Sequence, residues 1–235
     1  MAVLARNAVR LRQVQEELEG HGHLALVCDL CDPEAIASAF AHLEGEFGGL
    51  DLLVNNAGVG YRARVEELEE DSLQRLFDTN VLALLYTCRA ALPLLRAGRK
   101  PVVVNVSSVV GRRGIPGQVA YAASKAAVCS IGEGLRIEWA EDGIAVSTLD
   151  PALTATGFFE AQENPSELPH PDLSGASGPE EVAEEILGLD RDPRPERTLR
   201  WKWHLLGVLS LIAPRFADRL LVQNLGGGWR APRKG

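Results

Sequence analysis

Short, mostly apolar runs alternate with amphipathic stretches through the first two thirds of the chain. Residues 2–5, 24–28, 50–54, 101–106 and 144–149 are runs of strand length dominated by valine, leucine and alanine. Such runs suit strands buried on both faces, as a parallel sheet requires. Between them apolar residues recur at helical spacing. Val9, Leu11, Val14 and Leu18 mark a helix over residues 8–19, with Gly20 as its stop. Asp32-Pro33-Glu34 reads as a helix start with Pro33 at the first helical position, and the helix runs to about Phe47 before Gly48 and Gly49. One long helix is predicted over residues 72–96, with Asn80 inside it. Another carries Tyr121 and Lys125 as far as about Glu141, with Gly143 as its cap.

Strand and helix in alternation predict an α/β fold, a doubly wound parallel sheet. In such sheets a ligand lies beyond the C-terminal ends of the strands. Asp29, Asn55-Asn56-Ala57-Gly58, Ser108 and Pro151 all fall at those ends. After Pro151 the regularity fades. Residues 152–177, with Phe158, Phe159, Pro165, Pro169 and Pro171, read as a long loop over the cleft, a lid. Residues 179–189 read as a short helix and residues 190–197 as a charged, proline-bearing linker. The tail holds Trp201, Trp203 and the apolar run 205–213.

The chain has 235 residues, enough for one α/β domain, and a net charge of −8. That acidity argues against a nucleic-acid partner bound through a basic face. No apolar run reaches the length of a membrane span. Cys28 and Cys31 have metal-like spacing, but Cys88 and Cys129 stand alone and no histidine pair completes a set, so no metal site is expected. Reduced thiols in a cytoplasmic protein are the expectation. Arg6, Arg10 and Arg12 precede the first acid, Glu16, which superficially matches an organelle transit peptide.

Tyr121 and Lys125 lie four residues apart, on one face of a helix. A free phenol, with a pKa of about 10, is a poor proton carrier at neutral pH. A fixed cation nearby favours phenolate and draws the pKa toward the working range. A serine thirteen positions before the tyrosine (Ser108), Asn80, and the small-residue loop at 55–58 complete a set. Together these motifs resemble the short-chain dehydrogenase/reductase family, over residues 2–189. The resemblance implies a Rossmann-like sheet and hydride transfer between a nicotinamide cofactor and a carbonyl or alcohol. It implies that Tyr121 is the acid or base, that Lys125 lowers its pKa and holds the nicotinamide ribose, and that Ser108, with Ser107 as the alternative, holds the substrate oxygen. Asn80 would complete a proton relay through water. Asn56, Ala57 and Gly58 would border the cofactor, Asp29 and Leu30 would meet the adenine, and Pro151, Thr154 and Thr156 match the segment that contacts the nicotinamide amide. The glycine usual after that proline is Ala152 here.

At the end of the run 2–5, an acid would bind a ribose 2′-hydroxyl, whereas an arginine accommodates a 2′-phosphate. The chain has Arg6 there, so NADP(H) is expected over NAD(H). On this reading the chain is one domain, residues 1–235, with a cofactor-binding part at 1–151, a substrate loop at 152–178, and C-terminal helices and tail at 179–235. The family's opening strand and glycine-rich turn have no counterpart: Met1 falls almost directly onto what matches the second strand, which also accounts for the basic start. A misplaced start codon or a truncation explains this more simply than a true shortened product. Without that central strand the chain is expected either to fold poorly or to close its second strand onto the fourth, damaging the cofactor site. Two readings follow: an oxidoreductase acting on a small apolar or lipid-like carbonyl, or an inactive remnant that only binds or dimerises. A homodimer or homotetramer is implied by the resemblance, and Trp201, Trp203, residues 205–213, Arg215 and Arg219 are candidates for contact with a membrane surface.

Overall fold

The computed structural model describes residues 1–225 and residue 229. Its strands are β1 (Ala2–Ala5), β2 (Leu24–Val27), β3 (Leu52–Asn55), β4 (Val102–Val106), β5 (Ala145–Asp150) and β6 (Glu196–Thr198). Its helices are α1 (Ala8–Glu17), α2 (Pro33–Phe47), α3 (Glu70–Phe77), α4 (Ala83–Ala97), α5 (Val109–Arg112), α6 (Val119–Glu138), α7 (Phe158–Ala161), α8 (Pro179–Arg191), α9 (Trp201–Ile212) and α10 (Pro214–Leu225). All pairing is parallel: β1 with β2 in one sheet, and β3-β4-β5-β6 in order in a second.

Alternation along β4 shows why the run 101–106 is apolar throughout. Val103 belongs to a core with Leu84, Cys88, Ala91 and Leu95 of α4 and Val128 of α6. Val102 and Val104 face the other way, onto Leu189 of α8 and Leu199. Helices therefore cover both faces.

The two sheets are not hydrogen-bonded to each other, so the expected closure of the β1 strand onto β3 does not occur. What joins them is side-chain packing. Ile36, Phe40 and Leu43 of α2 share one buried cluster with Leu84, Cys88 and Leu95 of α4, and Leu4 and Leu26 pack against it. Sliding β1 across to β3 would withdraw the α2 side chains from α4. Burying each is worth about 1.5–3 kcal/mol, whereas a ladder hydrogen bond gains about 0.5–1.5 kcal/mol net. Packing wins, and all four residues of β1 stay half-buried beside an open edge.

Four further expectations are corrected. The single helix over 72–96 is interrupted: a π-helical turn, Asp78–Leu82, separates α3 from α4 and turns Asn80 inward to near-complete burial. The linker 190–197 contains β6, which pairs with the end of β5 through Thr148↔Glu196 and Asp150↔Thr198. Its charged side chains conceal it from any apolar pattern. Helix α6 ends at Glu138 with Trp139 at its cap, and Gly143, at φ +70°, makes the turn into β5. The lid segment contains α7 and is tied down by Ser177, whose carbonyl accepts from Ala155 N at 2.8 Å and whose N–H donates to Leu153 O at 2.9 Å. Among the described residues no helix is long and apolar enough to cross a membrane. The segment from residue 179 holds α8, α9 and α10 as far as residue 225; residues 226–228 and 230–235 lie outside the described residues.

Candidate functional site

Four elements deliver the catalytic candidates to one place. Ser108 ends the β4 segment and caps α5, with its Oγ accepting from Val110 N at 3.4 Å. Tyr121 and Lys125 sit one turn apart on α6, both buried. Ser108 hydrogen-bonds the Tyr121 hydroxyl. The alternative, Ser107, points elsewhere: its hydroxyl donates to Lys125 O at 2.8 Å and lies 3.1 Å from Cys129 Sγ. The geometry therefore selects Ser108 as the serine on the tyrosine.

Asn80 clamps this arrangement to the loop after β3. Its Oδ1 accepts from Val59 N at 2.8 Å, and its Nδ2 donates to Val59 O and to Ser124 Oγ, each at 3.0 Å. π turns recur where a helix must present a side chain off its regular face, and Asn80 is such a case. Gly58 lies between them: a Cβ there would stand 3.2 Å from Asn80 Oδ1 and 3.4 Å from Lys125 Nζ. That close approach gives the small-residue loop its reason.

Pro151 joins the same group through its carbonyl, which accepts from Val109 N at 3.0 Å. Thr154 and Thr156 serve local turns, bonding Ala152 O and Phe158 N at 3.3 Å each. Asn56 and Ala57 are exposed. Arg6, Asp29 and Leu30 follow β1 and β2, with Arg6 and Asp29 exposed and Asp29 Oδ1 accepting from Cys31 N at 3.0 Å. They are neighbours of one another, since Ala5 pairs with Val27, but no hydrogen bond or ion pair links them to the Tyr121 group among the described residues.

The electrostatics depart from the expectation that Lys125 acidifies Tyr121. Burial pushes the Tyr121 phenol upward, with the Ser108 hydrogen bond opposing. The Lys125 ammonium is engaged by Val106 O at 3.0 Å. Burial lowers Lys125 to about 8, opposed by Cys129 and Asp150. Since burial pushes the Cys129 thiol up to about 11, that thiol carries no charge at neutral pH.

A depressed lysine has a definite consequence for stability. Between about pH 8 and the unfolded value the folded chain holds fewer protons than the unfolded one, so stability rises with pH across that window. Below it the buried charge is a net cost. Lys125→Met is therefore expected to raise Tm at neutral pH by roughly 5 °C, given about 2–4 °C per kcal/mol for a domain of this size. The gain should shrink as pH rises from about 8 through 10.5 and be lost above it, where the wild-type lysine is neutral in both states. Thermal melts across pH check this; an equal gain at every pH would contradict it.

The lid phenylalanines singled out from the sequence complete the site, together with residues that the sequence did not mark. Phe158 of α7 lies over Tyr121 with ring centroids 5.8 Å apart, and Phe159 meets Phe158 edge-on at 5.5 Å. Asp150, fully buried, bonds Arg112 Nε through Oδ2 at 2.8 Å. Only its position as an acid closing an apolar strand run could have marked it. Arg62, on the loop that meets the lid through Glu163 O, has Nε and Nη1 buried without partners.

Similarity to known proteins agrees with this geometry. Residues 1–167 match the family model described as short chain dehydrogenase. A 3beta-hydroxysteroid dehydrogenase of Mediterraneibacter gnavus is 38% identical over 146 residues, which are 62% of this chain and 52% of that protein, so the chain spans about half of that relative's length. An uncharacterized oxidoreductase of Mycobacterium tuberculosis is 31% identical over 226 residues, 93% of this chain and 86% of that protein. Among solved structures, an alcohol dehydrogenase of the archaeon Thermococcus sibiricus complexed with 5-hydroxy-NADP superposes with a TM-score of 0.74 at 27% identity, covering 85% of this chain and 84% of that one. With a matched model over most of its length, a parallel sheet, and the serine that follows β4 brought to the tyrosine and lysine of α6, this chain belongs to the short-chain dehydrogenase family.

Proposed function

We propose that the chain reduces an apolar carbonyl, or oxidises the corresponding alcohol, with NADP(H). The observation that carries this reading is the convergence of Ser108, Tyr121, Lys125 and Asn80 beneath an aromatic lid. The nicotinamide half of a dinucleotide fits what is present: Gly58 leaves open the space a Cβ would fill beside Asn80 Oδ1 and Lys125 Nζ. Lys125 and Tyr121 would hold the ribose, Pro151 and Thr154 the amide, and Arg6 with Asp29 and Leu30 the adenosine end. When bound, the cofactor supplies or accepts the hydride.

The chain's own residues do the rest. Ser108 Oγ and Tyr121 Oη converge to donate hydrogen bonds to one substrate oxygen. Because burial raises the phenol, Tyr121 stays protonated and is poised as an acid for carbonyl reduction. Lys125, still an ammonium below about pH 8, steadies the phenolate that remains after proton transfer. Asn80 holds the loop and α6 in register. Phe158 covers the tyrosine and keeps water away. Tyr61, Val110, Ile115 and Trp203 in the same cluster favour an apolar substrate. Exposed Leu85, Val119 and Ile137 on α4 and α6 support assembly with further copies.

The test is NADPH consumption by the purified chain with a panel of apolar ketones. Absence of both turnover and NADPH binding by fluorescence titration would defeat the reading. The open edges of β1 and β3 favour the second reading, an inactive binding partner, and the same titration separates the two. For the phosphate preference, Arg6→Ala is expected to weaken NADPH binding about 10-fold and leave NADH unchanged, as loss of one charge-assisted hydrogen bond implies. Parallel titrations of the two nucleotides check it.

A further inference from the structure

A helix with apolar residues on every face is normally buried, and α9, apolar but for Lys202, His204 and Ser210, is not. Its inner face packs on the domain: Gly207 sits against α5, where a Cβ would be 3.4 Å from Arg112 Cβ, and Trp203 joins the cluster that contains Tyr121. Its outer face is equally apolar and bare. Trp201 is 69% exposed, Leu205 54%, Leu211 86% and Ile212 79%, and Phe216 at the start of α10 is 53% exposed. Trp201, Leu205, Val208 and Ile212 recur at helical spacing, so they form one stripe.

Charge decides what covers this stripe. Lys202, Arg215 and Arg219 flank it, all exposed, and none makes an ion pair among the described residues. The one acid on α9 and α10, Asp218, is engaged by Arg113. A chain with a net charge of −8 thus carries, on the two helices that bear this apolar face, three exposed cations and one acid already engaged. Two copies meeting face to face would oppose like charges. A bilayer with anionic headgroups satisfies both parts, taking the apolar side chains below the headgroups and the cations at their level. Helix α9, with 12 residues, is about 18 Å long, too short to span and suited to lie in the interface.

We infer that the α9–α10 hairpin docks the protein on an anionic lipid surface through Trp201, Leu205, Leu211, Ile212 and Phe216, with Lys202, Arg215 and Arg219 at headgroup level. The inference is independent of catalysis, since it is read by binding alone. The dock also lies one helix away from the active-site lining, because α9 rests on the α5 segment that Ser108 caps.

The experiment is vesicle co-sedimentation of the full chain with phosphatidylcholine alone and with phosphatidylcholine mixed with phosphatidylserine. Three cations at about a 5-fold gain each predict roughly 100-fold tighter binding to the anionic vesicles. Raised salt should reduce the difference, and Trp201 fluorescence should shift to the blue on binding. Leu211→Ser with Ile212→Ser, both at exposed positions, should abolish binding while leaving the thermal melt unchanged. Lys202→Gln with Arg215→Gln and Arg219→Gln should erase the preference for phosphatidylserine. No binding to either vesicle overturns the inference, as does binding that survives the serine pair. A dimer in solution that the serine pair dissolves, without vesicle binding, assigns the face to a second copy and equally overturns it.

Discussion

Tyr121→Phe is expected to lower kcat/KM for carbonyl reduction by about 10²–10⁴-fold, the usual contribution of a positioned general acid. The side chain is buried and packed beneath Phe158, and phenylalanine fills the same volume, so the fold should be untouched. Only the hydroxyl goes, and with it the hydrogen bond to Ser108 and the transferable proton. NADPH affinity should fall by no more than about 10-fold, the worth of one ribose hydrogen bond, so the larger loss in kcat separates lost chemistry from lost binding. The pH dependence offers an independent check. Reduction needs a protonated phenol, which burial maintains well into alkaline pH, and an ammonium at Lys125, which is lost above about pH 8. The wild-type rate should therefore fall as pH rises through about 8. Steady-state kinetics decide the point: undiminished turnover in the phenylalanine variant removes Tyr121 from the mechanism.

Arg112→Met is expected to destabilise the chain by about 3–5 kcal/mol, the usual consequence of leaving a buried charge without its partner. At about 2–4 °C per kcal/mol, the melt should drop by roughly 6–20 °C. The carboxylate at stake is Asp150, which is fully buried and has Arg112 Nε at 2.8 Å. Its remaining donors are weak by comparison: Thr198 Oγ1 at 3.4 Å and Cys129 Sγ at 3.7 Å. The guanidinium also lies 3.2 Å from Glu196 of β6 and 3.6 Å from Glu133 of α6, so it pins three elements at once. Burial raises Asp150 above the ordinary carboxylate range, and Arg112 opposes that rise. A raised folded-state value means that stability is lost as pH climbs through it. Without the cation the rise is larger, so the gap between variant and wild type should widen from acid to neutral pH. Adding Asp150→Asn to the variant should recover much of the loss, because no charge is then stranded. Equal melts for Arg112→Met and wild type would show that the pair contributes nothing.

Much of this could be read in the residues themselves, for identifiable reasons. Strands β1 to β5 are near-continuous apolar runs because helices cover both faces of the sheet, and that requirement is written locally. Tyr121 and Lys125 share a face because a helical turn brings i and i+4 together, and Ser108 is reached by the strand-to-helix turn preceding that helix. Three residues of β6 escaped because an edge strand between charged loops needs no apolar alternation; its partner, the end of β5, defines it. The bend at Asn80 escaped because helical periodicity absorbs one additional residue without visible disturbance.

Local pattern in this chain determined the order of its strands and helices, the parallel sheet, and the shared helical face of Tyr121 and Lys125, since each depends on neighbours within a few turns. Tertiary structure alone decided that Ser108 rather than Ser107 meets the tyrosine, that Lys125 is engaged by a backbone carbonyl, and that Asp150 is held by Arg112. It also decided that β1 and β3 stay apart and that α9 shows an apolar face outward. These outcomes depend on burial and on contacts between residues far apart in the chain, where desolvation and packing outweigh any preference a short segment holds on its own.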